Sequence, residues 1–409
     1  MRLANRLSTL DNNSEFLVPN PQTGSEAVFS LTVPVMRGAG RQNSLATFRI
    51  AKLESDVAAV VFLKQLQDHL GQVNQAYWTH YLARAAYRQR LQLVERTSKI
   101  VTTLEKRQEL DPDATKSELF RARAAMKKRE ADVQRTRMSV RVAEEQLRAL
   151  VNDPEIPMGG SGEWIPTSSP LLDAPRHDIR PISLSALANR AEVVQGVLAV
   201  EAATIQRNRS LNSLKPQLDL IAEVGFSGID GGRDVDGTYD DMFNHGTDVR
   251  AGFRFSQVLE RDFARASVTR RDLEYLQRVD ELNLVADRVL LDTLVRYREM
   301  LSSYRDMNAK FQTLLASREE LADLEKRSDL DAGDEGDRTV AYYLQLTLDA
   351  LERNQVAEEE FLVAVVSYNI SLADLEQAQG TFLQYQDVSV LRQEGEKRGD
   401  VDELIIRKN

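Results

Sequence analysis

Side chains able to do chemistry are few in this chain, and they are scattered. Its four histidines are His69, His80, His177 and His245. The first two fall on one long helical stretch, the third in a proline-rich connector and the fourth in a polar loop, so they supply no clustered ligand set for a metal. The neighbouring pair Asp68 and His69 lacks a nucleophile on a recognisable turn. Gly159-Gly160-Ser161-Gly162 and Gly231-Gly232 lack the strand-to-helix setting, or the lysine, of a phosphate-binding loop. The absence of cysteine excludes thiolate metal sites, a thiol nucleophile, disulfides and an N-terminal lipid-bearing cysteine. The residues therefore predict neither enzymatic activity nor a cofactor.

What recurs in a pattern is charge at two turns. Residues 104–111 read LEKRQELD and residues 324–331 read LEKRSDLD, which sets Arg107 and Arg327 220 positions apart. A fixed shift of this kind marks a duplicated unit. Both copies place a leucine, Leu110 or Leu330, beside acidic residues: Asp111 and Asp113 in the first, Asp329, Asp331, Asp334, Glu335 and Asp337 in the second. Carboxylates that face one constriction lower its potential and favour cations; in a solvated turn the same charges only keep it soluble.

Long helices lead to those turns. From Asn43 to Pro112 the only glycine or proline before the end is Gly71. Leu63, Leu66, Leu70, Val73, Tyr77, Tyr87, Leu91, Val94 and Val101 keep one alternating three-and-four frame, the spacing of a coiled-coil seam. At 1.5 Å per residue, some 65 residues make a rod of roughly 100 Å, which needs lateral neighbours. A second rod is predicted from Val258 to Lys326, with Leu294, Tyr297, Leu301, Tyr304, Phe311 and Leu315 on its frame. Returning helices are predicted over Thr115–Leu150 and Thr339–Gln384.

Short alternating segments precede the rods. Phe29, Leu31 and Val33 share one side of a strand over residues 27–35. Leu218 and Leu220 alternate with Asp219 and Glu223, and Phe253 and Phe255 alternate with Arg250 and Arg254. About ten residues suffice for a tilted strand to cross a bilayer, with the apolar side to lipid and the charged side to a lumen. The expected organisation is a loop at 1–26, a first repeat at 27–150, a connector at 151–182, a second repeat at 183–384 and a charged, disordered tail at 385–409. A helix from Ser183 is expected to open on that serine as its cap. No stretch of 18 consecutive apolar residues exists. The formal charge of −10 speaks against a nucleic-acid partner.

Three stretches carry a resemblance: Pro34-Val35-Met36-Arg37-Gly38-Ala39-Gly40-Arg41, Leu214-Lys215-Pro216-Gln217-Leu218, and Tyr368-Asn369-Ile370 followed by Leu372 through Thr381. In order and spacing they resemble the strand exit, the helix-to-strand junction and the last helix of the TolC-like outer-membrane efflux proteins, and the match spreads over nearly the whole chain. The resemblance implies a mainly α fold with a small β portion: long α-helical hairpins in two structural repeats, attached to transmembrane β-strands that form a shared trimeric barrel. It implies a homotrimer in the outer membrane and periplasm of a Gram-negative-type bacterium, in contact with outer-membrane lipid. The partners it implies are a periplasmic adaptor protein and an inner-membrane pump or secretion ATPase.

On that resemblance Arg107, Leu110, Asp111, Arg327, Leu330 and Asp331 dock the adaptor at the periplasmic tip, while Asp329, Asp334, Glu335 and Asp337 form an acidic gate. Compared with that family, a signal peptide, a first long helix and a first strand are expected upstream of Pro34 and are not visible. Three strands per copy would leave an unpaired edge in lipid, so a start earlier than Met1 is expected. Two alternatives stay open: a periplasmic coiled-coil adaptor or interaction protein, and a truncated nonfunctional relative of the channel family.

Overall fold

The computed structural model describes residues 1–13, 15–16, 18–110, 116–160, 162–175, 178–232, 235–244, 247–330, 337–393 and 403–408. In chain order the elements are β1 (Arg2–Leu10), β2 (Gln22–Pro34), α1 (Arg41–Ser44), α2 (Ala46–Leu110), α3 (Lys116–Val151), α4 (Ile179–Asn189), α5 (Ala191–Ser213) and β3 (Gln217–Gly231). They continue with α6 (Val235–Asn244), β4 (Thr247–Ser256), α7 (Asp262–Leu330), α8 (Asp337–Gln379), α9 (Phe382–Tyr385), β5 (Val388–Gln393) and β6 (Glu403–Lys408). Helices α2 and α7 have 65 and 69 residues and end at Leu110 and Leu330, the same shift as the sequence repeat. Two compact units divide the chain: residues 1–59 with 195–284, and residues 60–194 with 285–409.

The first unit holds an antiparallel sheet in the order β1-β2-β3-β4. Two expectations are corrected here. Residues 1–26 are not all loop, because β1 pairs with β2 from Arg2↔Ser30 to Leu10↔Gln22, and β2 starts at Gln22 rather than Ala27. The fourth strand removes the odd count, so the parity argument for an earlier start falls. The alternation of β1 escapes notice because its would-be apolar side mixes Leu3 and Leu7 with Asn5 and Thr9. The loop after β3 also contains a helix. On α6 the Thr238 carbonyl accepts from Ser25 Oγ at 3.0 Å, and a Cβ at Gly228 would lie 2.4 Å from that same oxygen. Only glycine lets α6 approach the sheet so closely.

In the second unit α2, α3, α7 and α8 pack through three apolar clusters. Val101, Leu104, Leu119, Ala122 and Leu348 join α2, α3 and α8. Leu93, Leu321, Ala350 and Leu351 join α2, α7 and α8. Met300, Met307, Ala364, Val365, Tyr368 and Leu375 zip α7 to α8, with Ile182 of α4 added. The buried line on α7 is Thr293, Met300, Met307, Leu314 and Leu321, a strict seven-residue repeat one position from the expected frame. On α2 the frame holds at Val101, which is buried, but loses Leu91, which is 43% exposed, while Leu93, Thr97 and Leu104 beside the frame are buried. A straight helix drifts about 20° per heptad against a seven-residue repeat, so over several heptads a neighbouring position turns inward.

Electrostatics complete the packing. Helix α8 carries Glu358-Glu359-Glu360, and the three go to different cations: Arg318 of α7 at 2.9 Å, Arg90 of α2 at 2.7 Å and Lys310 of α7 at 2.7 Å. Three consecutive residues fan over about 200° of the helix, so they reach neighbours on different sides of it. Helix α4 begins at Ile179, and Ser183 lies inside it with Oγ donating to the Ile179 carbonyl at 3.0 Å, so the expected serine cap is corrected. The tail is corrected as well: β5 and β6 pair antiparallel from Val388↔Lys408 to Gln393↔Glu403.

Candidate functional site

The register of the first sheet turns strand alternation into rows. Leu3, Phe29, Val224 and Val249 lie in one transverse row across all four strands. Leu31, Ala222 and Ala251 form the next, Val33, Leu220 and Phe253 the one after, and Leu218 lies opposite Phe255. Side chains two apart share a face, so these rows make one continuous apolar surface. It is open to its surroundings: Val249 is 72% and Phe253 77% exposed. Contiguous apolar area of this kind marks an interaction or membrane surface.

The opposite face carries charge in the same register. Arg2, Ser30, Glu223 and Arg250 form one row, and Pro34, Asp219 and Arg254 another. Opposite charges thus sit directly across from one another between β3 and β4, a favourable cross-strand arrangement. Asp219 is 5% exposed; its Oδ2 accepts from Gln217 Nε2 at 2.6 Å, and Gln217 Oε1 accepts from Arg37 just beyond β2. This chain of polar contacts fixes the strand ends, and Gly38 N donates to Asn212 Oδ1 at 2.7 Å beside it. Arg2, Arg6 and Glu26 join this face, with Arg6 opposite Glu26, and Leu3 joins the apolar one. All of β1, Arg2–Leu10, lies outside the strands that alternation in the sequence predicts.

The tip residues are only partly within view. Asp111, Asp113, Asp331, Asp334 and Glu335 lie outside the described residues. Leu110 and Leu330 are the last residues of α2 and α7, Asp329 the one before, and Asp337 the first of α8. Arg107 is half-buried in the last turn of α2, and Arg327 pairs with Asp323 at 2.9 Å. Among the described residues no group of His, Cys, Asp and Glu is placed to hold a metal ion.

The connector is held by side chains of the second unit. Asn369 Oδ1 accepts from Leu171 N at 2.9 Å, and its Nδ2 donates to the Leu171 carbonyl at 3.2 Å, as a neighbouring strand would. Tyr368 donates to the Asp173 carbonyl at 2.8 Å, and His80 Nε2 lies 3.0 Å from the Trp164 carbonyl. The buried pair Arg148 and Glu144, at 2.5 Å, grips the same stretch: Trp164 N donates to Glu144, and the guanidinium stacks 5.4 Å from the Trp164 ring. Trp164 is therefore a packing residue, beside a cavity of about 980 Å³ lined by Leu70, Tyr77, Trp78 and Leu171.

A charged network crosses the helices nearby. Lys64 meets Glu192 at 2.8 Å, Arg190 meets Glu192 and Asp292 at 3.0 Å each, and Arg296 meets Asp374 at 3.5 Å. Burial pushes the Glu192 carboxyl up, but hydrogen bonds from Lys64 and Arg190 outweigh it and hold the group below its ordinary range. At Asp374 burial wins over Arg296, with Glu299 and Asp292 adding repulsion, and the carboxyl is held above its ordinary range.

No family model matches the chain, and no curated protein matches it. Solved structures do. CusC, whose structures are described for folding and transmembrane channel formation, superposes with a TM-score of 0.68 at 13% identity, covering 93% of this chain and 82% of its own. The outer membrane protein VceC of Vibrio cholerae gives 0.62 at 15%, covering 93% and 86%. The MtrE outer membrane channel of Neisseria gonorrhoeae gives 0.64 at 16%, covering 93% and 81%. The chain has the fold of outer-membrane channel proteins, the TolC-like fold that its three sequence stretches resemble.

Proposed function

We propose that this chain is the outer-membrane channel component of a tripartite efflux or type I secretion system, passing substrates from periplasm to exterior without chemistry. Copies assemble as a homotrimer around the charged face, present the apolar rows to outer-membrane lipid, and meet a periplasmic adaptor and an inner-membrane pump or secretion ATPase. The carrying observation is the set of transverse rows, apolar on one face and charged on the other, over four antiparallel strands. An antiparallel barrel requires an even number of strands, and with four per copy β4 of one copy runs antiparallel to β1 of the next. Closure also satisfies the edge groups that lipid would leave without partners.

The acidic tips give the channel its ionic preference. In planar bilayers the purified protein conducts, and replacing Asp331, Asp334 and Asp337 together by alanine weakens its cation selectivity. An unchanged reversal potential removes the acidic gate. A protein that stays soluble without detergent and never inserts removes the channel itself.

A further inference from the structure

The cavity of about 980 Å³ between the connector and the helices lies wholly within the second unit, with walls from α2, α3, the connector, α8, α9 and β5. Pockets of about 300–1,000 Å³ are the ones that enclose a drug-sized molecule. Its walls are aromatic and apolar. Tyr77 and Trp78 of α2, Trp164 of the connector and Tyr385 of α9 supply four rings. Trp78 is buried and meets Tyr77 edge-on at 5.5 Å, and the Arg148 guanidinium covers the Trp164 ring at 5.4 Å, so these rings are held in place. Val151, Ile165, Leu171 and Tyr385, which also line the cavity, are between 43% and 60% exposed. Large apolar side chains from α3, the connector and α9 thus gather around one opening, the mark of an interaction site.

The polar groups are few, and they accept. Among the described residues that line the cavity there is no Lys, Arg or Asp, and Glu163 is the only Glu. Its side chain is 74% exposed, and Arg84 approaches it at 3.6 Å, beyond hydrogen-bond reach, so the carboxylate keeps its accepting capacity for a bound N–H. Deeper in the wall, His80 Nε2 lies 3.0 Å from the Trp164 carbonyl. A carbonyl only accepts, so Nε2 carries a proton, and in the neutral ring Nδ1 is then an acceptor. That Nδ1 is buried without a hydrogen-bond partner, a cost that a donor on a bound molecule offsets.

We infer that this cavity binds a flat aromatic cation bearing N–H donors, such as an aryl amidine, with its rings against Tyr77, Trp78, Trp164 and Tyr385 and its charged N–H groups on Glu163 at the mouth. Aromatic faces carry the negative side of the ring quadrupole and attract a cation, and a hydrogen bond from a charged donor to a carboxylate is the stronger kind. A neutral molecule of the same shape gains the apolar burial without the charge, and an anion meets Glu163 as a like charge.

This site stands apart from the channel reading, because every lining residue belongs to one unit of one chain. The sequence also supplies a reporter: the chain has two tryptophans, Trp78 and Trp164, and both line the cavity.

Titrating the detergent-solubilised full chain with diamidinophenylindole, a flat aryl amidine whose absorption overlaps tryptophan emission, gives saturable quenching of that emission. Glu163→Gln and Tyr385→Leu, both at exposed positions, each weaken the binding about threefold. Neutral phenylnaphthylamine quenches the parent and Glu163→Gln with equal affinity, which shows the cavity intact in the variant. Quenching by the amidine that rises linearly with dye, as partition into detergent gives, overturns the site. Equal affinity of the parent and Glu163→Gln for the amidine, or tighter binding of the anionic anilinonaphthalene sulfonate than of the amidine, overturns the cationic class of its ligand.

Discussion

Gly380 gives a sharp test of how tightly the second unit is built. It follows α8 with φ +73°, in the left-handed region, and its N–H donates to the Gln377 carbonyl at 3.0 Å while Thr381 N–H donates to Glu376 at 3.0 Å, closing the helix end. A Cβ added there would meet the Asn189 carbonyl oxygen at 2.8 Å, its carbon at 2.9 Å and Arg190 N at 3.1 Å. These are backbone atoms at the break between α4 and α5, and Arg190 is itself tied to the Ala378 carbonyl at 3.0 Å. Gly380→Ala therefore carries two costs: about 1–2 kcal/mol for an L-residue in the left-handed region, and about 1–3 kcal/mol for overpacking against backbone. Gly159, with φ +75° and nothing within 4 Å of its Cβ, carries only the first. Urea unfolding of the detergent-solubilised variants, followed by circular dichroism, should place Gly380→Ala below Gly159→Ala by about 1–3 kcal/mol. Equal losses would refute the close approach of α8 to the α4–α5 break.

Replacing Asn369 by leucine leaves both polar groups of Leu171 without their protein partner, which costs about 1–3 kcal/mol, and proteolytic cleavage of the connector quickens. Unchanged cleavage rates would show that the connector is held elsewhere. Asp374 has a raised folded pKa, so the folded state binds its proton more tightly than the unfolded chain, and its contribution to stability is lost as pH rises through that folded value. Asp374→Asn should accordingly raise Tm at neutral pH, with the gain shrinking as pH falls toward the ordinary carboxylate value of 3.8; a gain that is flat with pH would contradict this.

The rods and three of the four sheet strands are legible in the sequence because each has one dominant period, 3.5 or 2, over many residues. Strand β1 is not, since Asn5 and Thr9 sit where an apolar residue would complete the pattern and its identity depends on pairing with β2. The seam shift on α7 from Leu301 and Leu315 to Met300 and Leu314 is below what periodicity resolves, because adjacent frames both look apolar. The clamp of Asn369 and Tyr368 on the connector carries no periodic signal at all: it joins residues nearly 200 positions apart through side-chain to backbone bonds. The charged face of the sheet is legible in Asp219, Glu223, Arg250 and Arg254, but its pairing into rows follows only from register.

The central claim is that the sheet of β1 to β4 stands between lipid and a water-filled lumen. Single cysteines at positions 248–255 of β4, placed one at a time in the cysteine-free chain in native outer membranes, test it directly with a water-soluble and a lipid-soluble thiol reagent. The account predicts strict alternation: lipid-phase labelling at Val249, Ala251, Phe253 and Phe255, and aqueous labelling at Asp248, Arg250, Gly252 and Arg254. Uniform aqueous labelling, or labelling without a period of two, would contradict it.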